Sequence, residues 1–214
     1  VANNLPGGIA VLAIAQKDNL FNAPETYMNK IATGKIDKGL IDLDFSIEKN
    51  IKNLSDFKNK SISSVRACIL DRPRHKKIID KLKDLDVKIK LIKDGDVLGA
   101  LYVSDPKYDV DIFIGIGGGP EGVIAASALD AYDCHFQGKF IFDNEKDISE
   151  AKKMGITELN KKYEINEIVK GDAIFCASAI TDTMAMKGVV SEDENYYMTE
   201  TLVTHKLTRD SNLS

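Results

Sequence analysis

The sequence is poor in cysteine and has no long hydrophobic run, and both shortages exclude classes of protein. Its three cysteines, Cys68, Cys134 and Cys176, are an odd number without CxxC spacing, so neither a disulfide framework nor a zinc site is predicted. Each lies among apolar residues, which indicates buried, reduced thiols. The longest apolar run, residues 8–15, is far shorter than the roughly 20 residues that span a membrane, and no basic stretch precedes it. We therefore expect a cytoplasmic protein with no membrane partner.

Positive charge is also in deficit. Lysine and arginine number 29 against 33 acidic residues, which leaves a net charge of −4. A chain with this net charge is too acidic for sequence-independent binding of nucleic acid, so no nucleic-acid partner is expected. A hydrophobic share of 43% and a charged share of 29% are typical of a globular chain and exclude a disordered one.

The order of the apolar segments predicts an α/β fold. A buried strand is predicted over residues 9–15, and further strands over residues 64–70, 87–92, 110–116, 139–142 and 173–177. Helices are predicted over residues 24–31, 42–59, 74–85 and 121–132. Residues 64–92 read as strand, helix and strand, a unit that places its two strands parallel through a right-handed crossover. We therefore predict a parallel or mixed sheet with helices on both faces from about residue 57 onward.

Polar loops follow four of the predicted strands. In a parallel α/β sheet the ligand binds beyond the carboxyl ends of the strands, where loops and helix N-termini converge. The loops at residues 71–75, 93–96, 117–122 and 178–182 concentrate charge and glycine. The sequence therefore predicts that all four loops lie at one edge and that a ligand binds there.

The first of these loops carries two arginines. Arg72 and Arg74 flank Pro73, which stiffens the turn, and two guanidinium groups at a fixed separation suit a phosphate dianion. A pair of surface arginines making weak contacts at a helix start explains the motif equally well when it is taken alone. His75 is expected to cap or pack rather than to catalyse.

The second loop offers two carboxylates within one turn. Asp94 and Asp96 flank Gly95, which tolerates backbone conformations that other residues resist. Such a pair can chelate a hard cation or accept hydrogen bonds from sugar hydroxyls. An Asx turn that starts the following helix is the competing interpretation of Asp94.

The glycine-rich loop has the most specific pattern. Gly117, Gly119 and Gly122 satisfy G-x-G-x-x-G between a strand and a helix, and Asp143 follows the next strand, so a dinucleotide site is one interpretation. Glu121 argues against it, because its carboxylate would repel a pyrophosphate at the helix N-terminus. A divalent cation on Glu121 would remove that repulsion and favours phosphoryl chemistry instead. A plain glycine turn also explains the pattern.

Five stretches taken in order resemble the class II fructose-1,6-bisphosphatases. They are residues 24–30, 70–75, 94–97, 115–123 and 180–182. The resemblance implies a phosphoric monoester hydrolase that removes the 1-phosphate of fructose 1,6-bisphosphate and, in many members, also acts on sedoheptulose 1,7-bisphosphate. It further implies Mn²⁺ or Mg²⁺ as cofactor, a sugar bisphosphate as the bound partner, and a homo-oligomer.

The resemblance also implies roles for individual residues. Glu121 matches a catalytic carboxylate that is a ligand of the cation. The positions that match substrate-binding residues are Tyr27, Arg72, Arg74, Asp94, Gly95, Asp96 and Gly118. Residues 177–183 depart from the glycine-rich pattern of the family, and no role is assigned to them.

Family members carry a further N-terminal region with several metal-binding carboxylates. The resemblance therefore implies that residues 1–56 are the C-terminal part of an α+β metal-dependent phosphatase domain and that residues 57–214 form an α/β domain that binds substrate and metal. We expect the 214 residues alone to be inactive or nearly so. Two other functions stay open: a dinucleotide-binding oxidoreductase, and a non-catalytic sugar-phosphate sensor.

Overall fold

The computed structural model describes residues 5–193 and 195–208, and the backbone of residues 210–213. The described strands are β1 (Ile9–Ala15), β2 (Tyr27–Thr33), β3 (Arg66–Leu70), β4 (Lys88–Ile92), β5 (Ile112–Gly118), β6 (His135–Ile141), β7 (Lys162–Glu164), β8 (Ala173–Ala179), β9 (Val190–Ser191), β10 (Tyr197–Met198), β11 (Thr201–His205) and β12 (Asp210–Leu213). The described α-helices are α1 (Ile47–Phe57), α2 (Lys76–Asp84), α3 (Asp96–Leu101), α4 (Gly119–Asp130), α5 (Glu145–Lys153) and α6 (Ile165–Ile168).

A six-stranded mixed sheet forms the centre of the fold, in the order β4-β3-β5-β2-β6-β7. Strand β3 runs parallel to β4 and to β5, whereas β2 runs antiparallel to both β5 and β6. A second, four-stranded sheet has the order β1-β8-β11-β12, and its neighbouring strands are antiparallel. The mixed sheet confirms the α/β fold class and the parallel strand–helix–strand unit.

Two hydrophobic clusters hold these layers together. On one face of the large sheet, α1 and α2 bury Leu54 and Leu82 against Ile114. On the other face, α3 and α4 pack against the sheet, and α4 also contacts β8 and β1 of the smaller sheet. Ala126 of α4 is fully buried and belongs to the same cluster as Phe113 and Phe175 from the two sheets. Helices therefore cover both faces, and α4 is fixed between two sheets.

The start and the buried face of helix α1 follow from its local sequence. The Ser46 side chain accepts a hydrogen bond from the backbone N–H of Lys49, 3.2 Å away, and so caps the helix. Ile51 and Leu54 face the core, as their spacing in the sequence predicts. The helix occupies part of the segment 42–59 in which it was predicted.

The helix predicted over residues 24–31 is wrong, because the structure has strand β2 there. Tyr27, Ile31 and Thr33 favour strands, and β2 lies between two neighbours, so its backbone groups pair on both edges. That long-range pairing outweighs a helical reading of so short a segment.

Three smaller expectations also need correction. Strand β8 belongs to the smaller sheet, so the loop that follows it does not extend from an edge of the large one. Strand β1, expected to be buried, alternates half-buried and exposed residues, because one face of the smaller sheet lies open in the described structure. Cys176 is only half-buried, whereas Cys68 and Cys134 are buried, and the three thiols are free.

The domain boundary near residue 57 stays a prediction. Strand β2, before it in the sequence, pairs with β5 and β6, and β1 pairs with β8.

In the described parts of the chain, no helix has the length and apolar character needed to cross a bilayer.

A buried carboxylate ties α1 and β3 to the start of β5. Asp111 accepts hydrogen bonds from Lys58 Nζ at 2.7 Å, from Lys60 Nζ at 2.9 Å and from the backbone N–H of Arg66 at 3.0 Å. Burial alone would raise the pKa of Asp111, but these donors outweigh it and hold the pKa below 3.8. The ionised carboxylate is therefore the form that the fold stabilises.

We expect Asp111→Asn to lower the free energy of unfolding by about 2–3 kcal/mol, because charge-assisted hydrogen bonds to a buried group are lost. Since the folded pKa lies below its unfolded value, this contribution is present above pH 3.8 and disappears as the pH falls below it. Urea unfolding at pH 7 and pH 3 measures both effects. Asp109→Asn, which breaks a more exposed pair with Arg66, is the control and should cost below about 1 kcal/mol. Equal losses in the two variants would contradict the prediction.

Candidate active site

The residues predicted for the site converge at one edge of the large sheet. Because β3, β4 and β5 are parallel, their carboxyl ends meet there, and they bring Arg72, Asp94 and Gly118 to the same side. Strand β2 runs the opposite way, so its first residue, Tyr27, pairs in register with Gly118. Glu121 lies in the first turn of α4, directly after β5. Their functional roles stay predictions.

The two arginines are held in place by different partners. The Arg72 guanidinium pairs with the Asp94 carboxylate and so connects the loops after β3 and β4. Arg74 Nε donates to the Ile116 carbonyl at 2.9 Å, and its guanidinium lies 4.9 Å from the centre of the Tyr27 ring. Both arginines keep further N–H groups that an anion can use, since a guanidinium has five.

The two carboxylates of the Asp94-Gly95-Asp96 turn point in different directions. Gly95 has φ +83°, a left-handed conformation that favours glycine, and its carbonyl accepts the Gly99 N–H at 2.9 Å to begin α3. Asp94 is exposed, whereas Asp96 turns inward onto Lys30, with Asp96 Oδ2 2.5 Å from Lys30 Nζ. As described, the turn does not chelate through both carboxylates together.

Lys30 is the site residue that the sequence analysis missed. It lies on β2 and only 1% of it is exposed. Burial lowers the pKa of Lys30 below 10.5, and the nearby carboxylates of Asp96 and Glu121 oppose that shift. The signal in the sequence was a lysine among the apolar residues of what proves to be a largely buried strand. Because a helix was predicted over residues 24–31, this lysine was not identified as a site residue.

The glycine-rich loop makes room for acidic side chains rather than for a pyrophosphate. Gly117 and Gly118 are the last residues of β5, and α4 begins at Gly119, so the expected loop is a direct strand-to-helix junction. A Cβ on Gly117 would lie 2.0 Å from Asp96 Oδ2. A Cβ on Gly118 would lie 1.9 Å from Glu121 Oε2. Both glycines therefore leave space for a carboxylate.

An acidic cavity of about 290 Å³ lies beside this junction. Its carboxylates belong to Glu25, Glu121, Asp143 and Asp147. Asp143, which would bind a ribose in a dinucleotide site, thus joins a cluster that repels a pyrophosphate. This lining argues against the dinucleotide interpretation.

The donor set fits a divalent cation only in part. Carboxylate oxygens are the ligands that Mg²⁺ and Mn²⁺ prefer, and Glu121 presents one at the mouth of the acidic cavity. Within residues 5–193 and 195–208, however, no group of three His, Cys, Asp or Glu side chains is placed to hold a metal ion. The described residues by themselves do not form a complete metal centre.

A second cavity, of about 420 Å³, lies behind the Asp94-Gly95 turn. Asp182 and Met184, from the loop after β8, line its other side. That loop is fixed to the N-terminal residues, since the Gly7 N–H donates to the Asp182 carbonyl at 2.8 Å. The fourth predicted loop therefore reaches this region from the smaller sheet.

His75 packs in the interior beside the candidate site, which is one of the two roles that the sequence predicts for it, and its side chain does not cap a helix. Its ring is fully buried; Nδ1 lies 2.8 Å from the Leu70 carbonyl, and Nε2 accepts the Ile116 N–H at 2.7 Å. Since Nε2 accepts, the ring is neutral with its proton on Nδ1. His75 thus joins the end of β3 to β5, next to the carbonyl that positions Arg74.

Comparison with known proteins identifies the family of the chain. Residues 1–212 match the family described as bacterial fructose-1,6-bisphosphatase, glpX-encoded. The chain belongs to this family. The family membership confirms the resemblance that the sequence motifs carry.

Similar curated proteins are named D-fructose 1,6-bisphosphatase class 2/sedoheptulose 1,7-bisphosphatase. One from Prochlorococcus marinus (strain AS9601) is 38% identical over 205 residues, which cover 89% of this chain and 62% of the relative. One from Synechococcus elongatus is 36% identical over 197 residues, covering 86% and 57%. One from Thermosynechococcus vestitus is 38% identical over 198 residues, with the same coverages of 86% and 57%. The chain spans about three fifths of the length of these relatives.

We expect His75→Ala to lower the free energy of unfolding by about 2–4 kcal/mol, because two buried backbone groups lose their partners. His75→Gln, which keeps a donor and an acceptor, should lose less. Burial and the adjacent arginines lower the pKa of His75 below 6.5, although the bond to Leu70 opposes them. The unfolded chain therefore takes up the proton more readily, and the contribution present above pH 6.5 is lost as the pH falls.

Urea unfolding of wild type and His75→Gln at pH 7.5 and pH 5.5 measures this effect. The difference in unfolding free energy between the two proteins gives the contribution of His75 alone. The contribution of His135, the pKa of which burial lowers to about 4, is present in both proteins and cancels. Identical changes with pH in the two proteins would contradict a neutral, buried His75.

Proposed function

We propose that this chain carries the substrate-binding edge of a divalent-cation-dependent phosphatase that removes the 1-phosphate of fructose 1,6-bisphosphate. We extend the proposal to sedoheptulose 1,7-bisphosphate as a second substrate, since the similar proteins carry both activities in their names. One observation carries the proposal. In this member of the family, side chains from separate stretches of the sequence meet at one edge of the large sheet. There Arg72 pairs with Asp94, Arg74 stacks on Tyr27, and Glu121 lies beside Gly118.

Arg72 and Arg74 bind the distal phosphate in this proposal. Each guanidinium already has a partner that fixes its direction, so less side-chain freedom is lost when the ligand binds. Tyr27 contributes the aromatic face under Arg74. Two oriented guanidinium groups match the oxygens of a phosphate dianion better than flexible lysines would.

The sugar lies between the Asp94-Gly95-Asp96 turn and the end of β5. The carboxylates of Asp94 and Asp96 accept hydrogen bonds from its hydroxyls, and the backbone at Gly95 and Gly118 allows close approach because neither has a side chain. The phosphate at position 1 then lies toward the acidic cavity that contains Glu121.

Glu121 provides one carboxylate ligand of Mn²⁺ or Mg²⁺ in this proposal. When bound, such a cation polarises a phosphoryl oxygen and lowers the pKa of a bound water. The described residues position the sugar bisphosphate against that carboxylate. The homo-oligomer implied by the resemblance stays a prediction.

The proposal predicts that fructose 1,6-bisphosphate with Mn²⁺ raises the melting temperature of the chain. At a ligand concentration 100 times Kd the gain is about 2.7 kcal/mol, or about 5–10 °C for a chain of this size. Differential scanning calorimetry measures the shift. Arg72→Met/Arg74→Met should abolish it, and Glu121→Gln should abolish its dependence on Mn²⁺. Lys52→Met, on the exposed side of α1, is the control.

Phosphate release, measured with and without EDTA on the same samples, tests the reaction. Stabilisation that requires Mn²⁺, with little or no release, is the result expected of these 214 residues alone. Release that EDTA prevents would support the phosphatase and contradict the expectation that these residues alone are inactive. Equal thermal stabilisation in EDTA without release indicates a sugar-phosphate sensor instead. Stabilisation by NADH but by neither bisphosphate would refute the proposal in favour of a dinucleotide-binding protein.

A further inference from the structure

Lys30 is fully buried, and it is the only lysine or arginine among the buried residues of the described part of the chain. It lies on β2, in the middle of the large sheet, where Gly115 of β5 and Gly138 of β6 are its partners in register. Taking a lysine ammonium out of water is costly unless it is paired and hydrogen-bonded. The position of Lys30 therefore requires a specific partner.

That partner is a residue of the candidate active site. Lys30 Nζ lies 2.5 Å from Asp96 Oδ2, and the Asp96 side chain retains 12% exposure at the sheet edge. Glu121 and Arg74 also act on the Lys30 charge, the first favouring it and the second opposing it. The buried ammonium thus lies directly beneath three of the residues proposed to bind substrate or cation.

Two glycines of the G-x-G-x-x-G pattern leave space for this ion pair. A Cβ on Gly117 would lie 3.1 Å from Lys30 Nζ and closer still to Asp96. A Cβ on Gly122 would lie 3.1 Å from Lys30 Cε and 2.5 Å from Met28 Sδ. The glycine pattern is therefore explained in part by the room that Lys30 and Asp96 need.

The geometry leaves one oxygen of Asp96 for a ligand. Oδ2 is held by Lys30, and among the described residues no hydrogen bond engages Oδ1. A carboxylate that a buried ammonium fixes at one oxygen accepts a hydroxyl hydrogen bond at the other oxygen without reorganisation. The Asp111 cluster differs, because Lys58 and Lys60 bind a carboxylate away from the candidate site.

We propose that Lys30 is a positioning residue that acts through Asp96 to bind the sugar part of the substrate. The proposal rests on the function proposed above. Lys30 holds the Asp96 carboxylate in one orientation, and Asp96 contacts a sugar hydroxyl. The phosphate contacts of Arg72 and Arg74 do not depend on Lys30.

Separate measurements with a sugar phosphate and with inorganic phosphate test this role. Isothermal titration calorimetry gives Kd for fructose 6-phosphate and for inorganic phosphate with wild type, Lys30→Met, Asp96→Asn and the double variant. We expect Lys30→Met to weaken the affinity for fructose 6-phosphate about tenfold and the affinity for inorganic phosphate less than about twofold. Tenfold corresponds to about 1.4 kcal/mol, close to the loss of one hydrogen bond to a charged group. The double variant should bind fructose 6-phosphate no more weakly than Asp96→Asn.

Two further variants separate this role from a loss of stability. Lys58→Met breaks another partly buried lysine–aspartate pair and should leave both Kd values unchanged. Lys30→Gln keeps a neutral donor toward Asp96 and should recover part of the affinity that Lys30→Met loses. The double variant removes both charges, so it is expected to fold even where Lys30→Met alone, with an unpaired buried carboxylate, does not.

Three results would overturn the inference. Equal weakening of fructose 6-phosphate and inorganic phosphate by Lys30→Met would show a general structural role. If the loss of fructose 6-phosphate affinity in the double variant equals the product of the losses in the two single variants, Lys30 acts independently of Asp96. A wild-type protein that binds inorganic phosphate but not fructose 6-phosphate would refute the proposed function itself. This result can be told apart from a failure of the Lys30 inference, because it is seen without any variant.

Discussion

The pairing of β2 between β5 and β6 is the constraint on which the candidate site depends. Because β2 runs antiparallel to both neighbours, its first residue lies at the edge where β3, β4 and β5 end. Tyr27 is thereby placed beside Gly118 and under Arg74, and Lys30 is placed beneath Asp96. A strand from early in the sequence thus supplies both an exposed ring and a buried charge to a site built mainly from later segments.

Much of this arrangement is readable from the sequence, because it depends on local patterns and one general rule. The strand–helix–strand unit that ends in β4 has clear periodicity, and its parallel pairing follows from its connection. The rule that ligands bind beyond the carboxyl ends of parallel strands then brings Arg72 and Asp94 to one edge. The opposition between Glu121 and a pyrophosphate also follows from charge alone, and the acidic cavity around Glu121 supports it.

The remainder depends on contacts that no local pattern reveals. Residues 24–31 read as a helix, but residues 27–31 pair as a strand with residues about 80 to 115 positions further along the chain, and this pairing decides their structure. The assignment of β8 to the smaller sheet likewise depends on its pairing with β1 and β11. The role of Lys30 in the fold likewise depends on Asp96 and Gly117, which lie next to its ammonium group in the structure but far from it in the sequence.

The charges at the sheet edge explain why a divalent cation belongs in the proposed function. The cations Lys30, Arg72 and Arg74 face the carboxylates of Asp94, Asp96 and Glu121, so these six charges balance one another before a ligand arrives. Each phosphate of a sugar bisphosphate adds a charge of about −1.5 to −2 near neutral pH. The arginines can balance one such group, but the second would meet the acidic cavity beside Glu121. Glu121 and its neighbouring carboxylates would hold a divalent cation there, and the charge of that cation would offset the repulsion and favour transfer of the phosphoryl group.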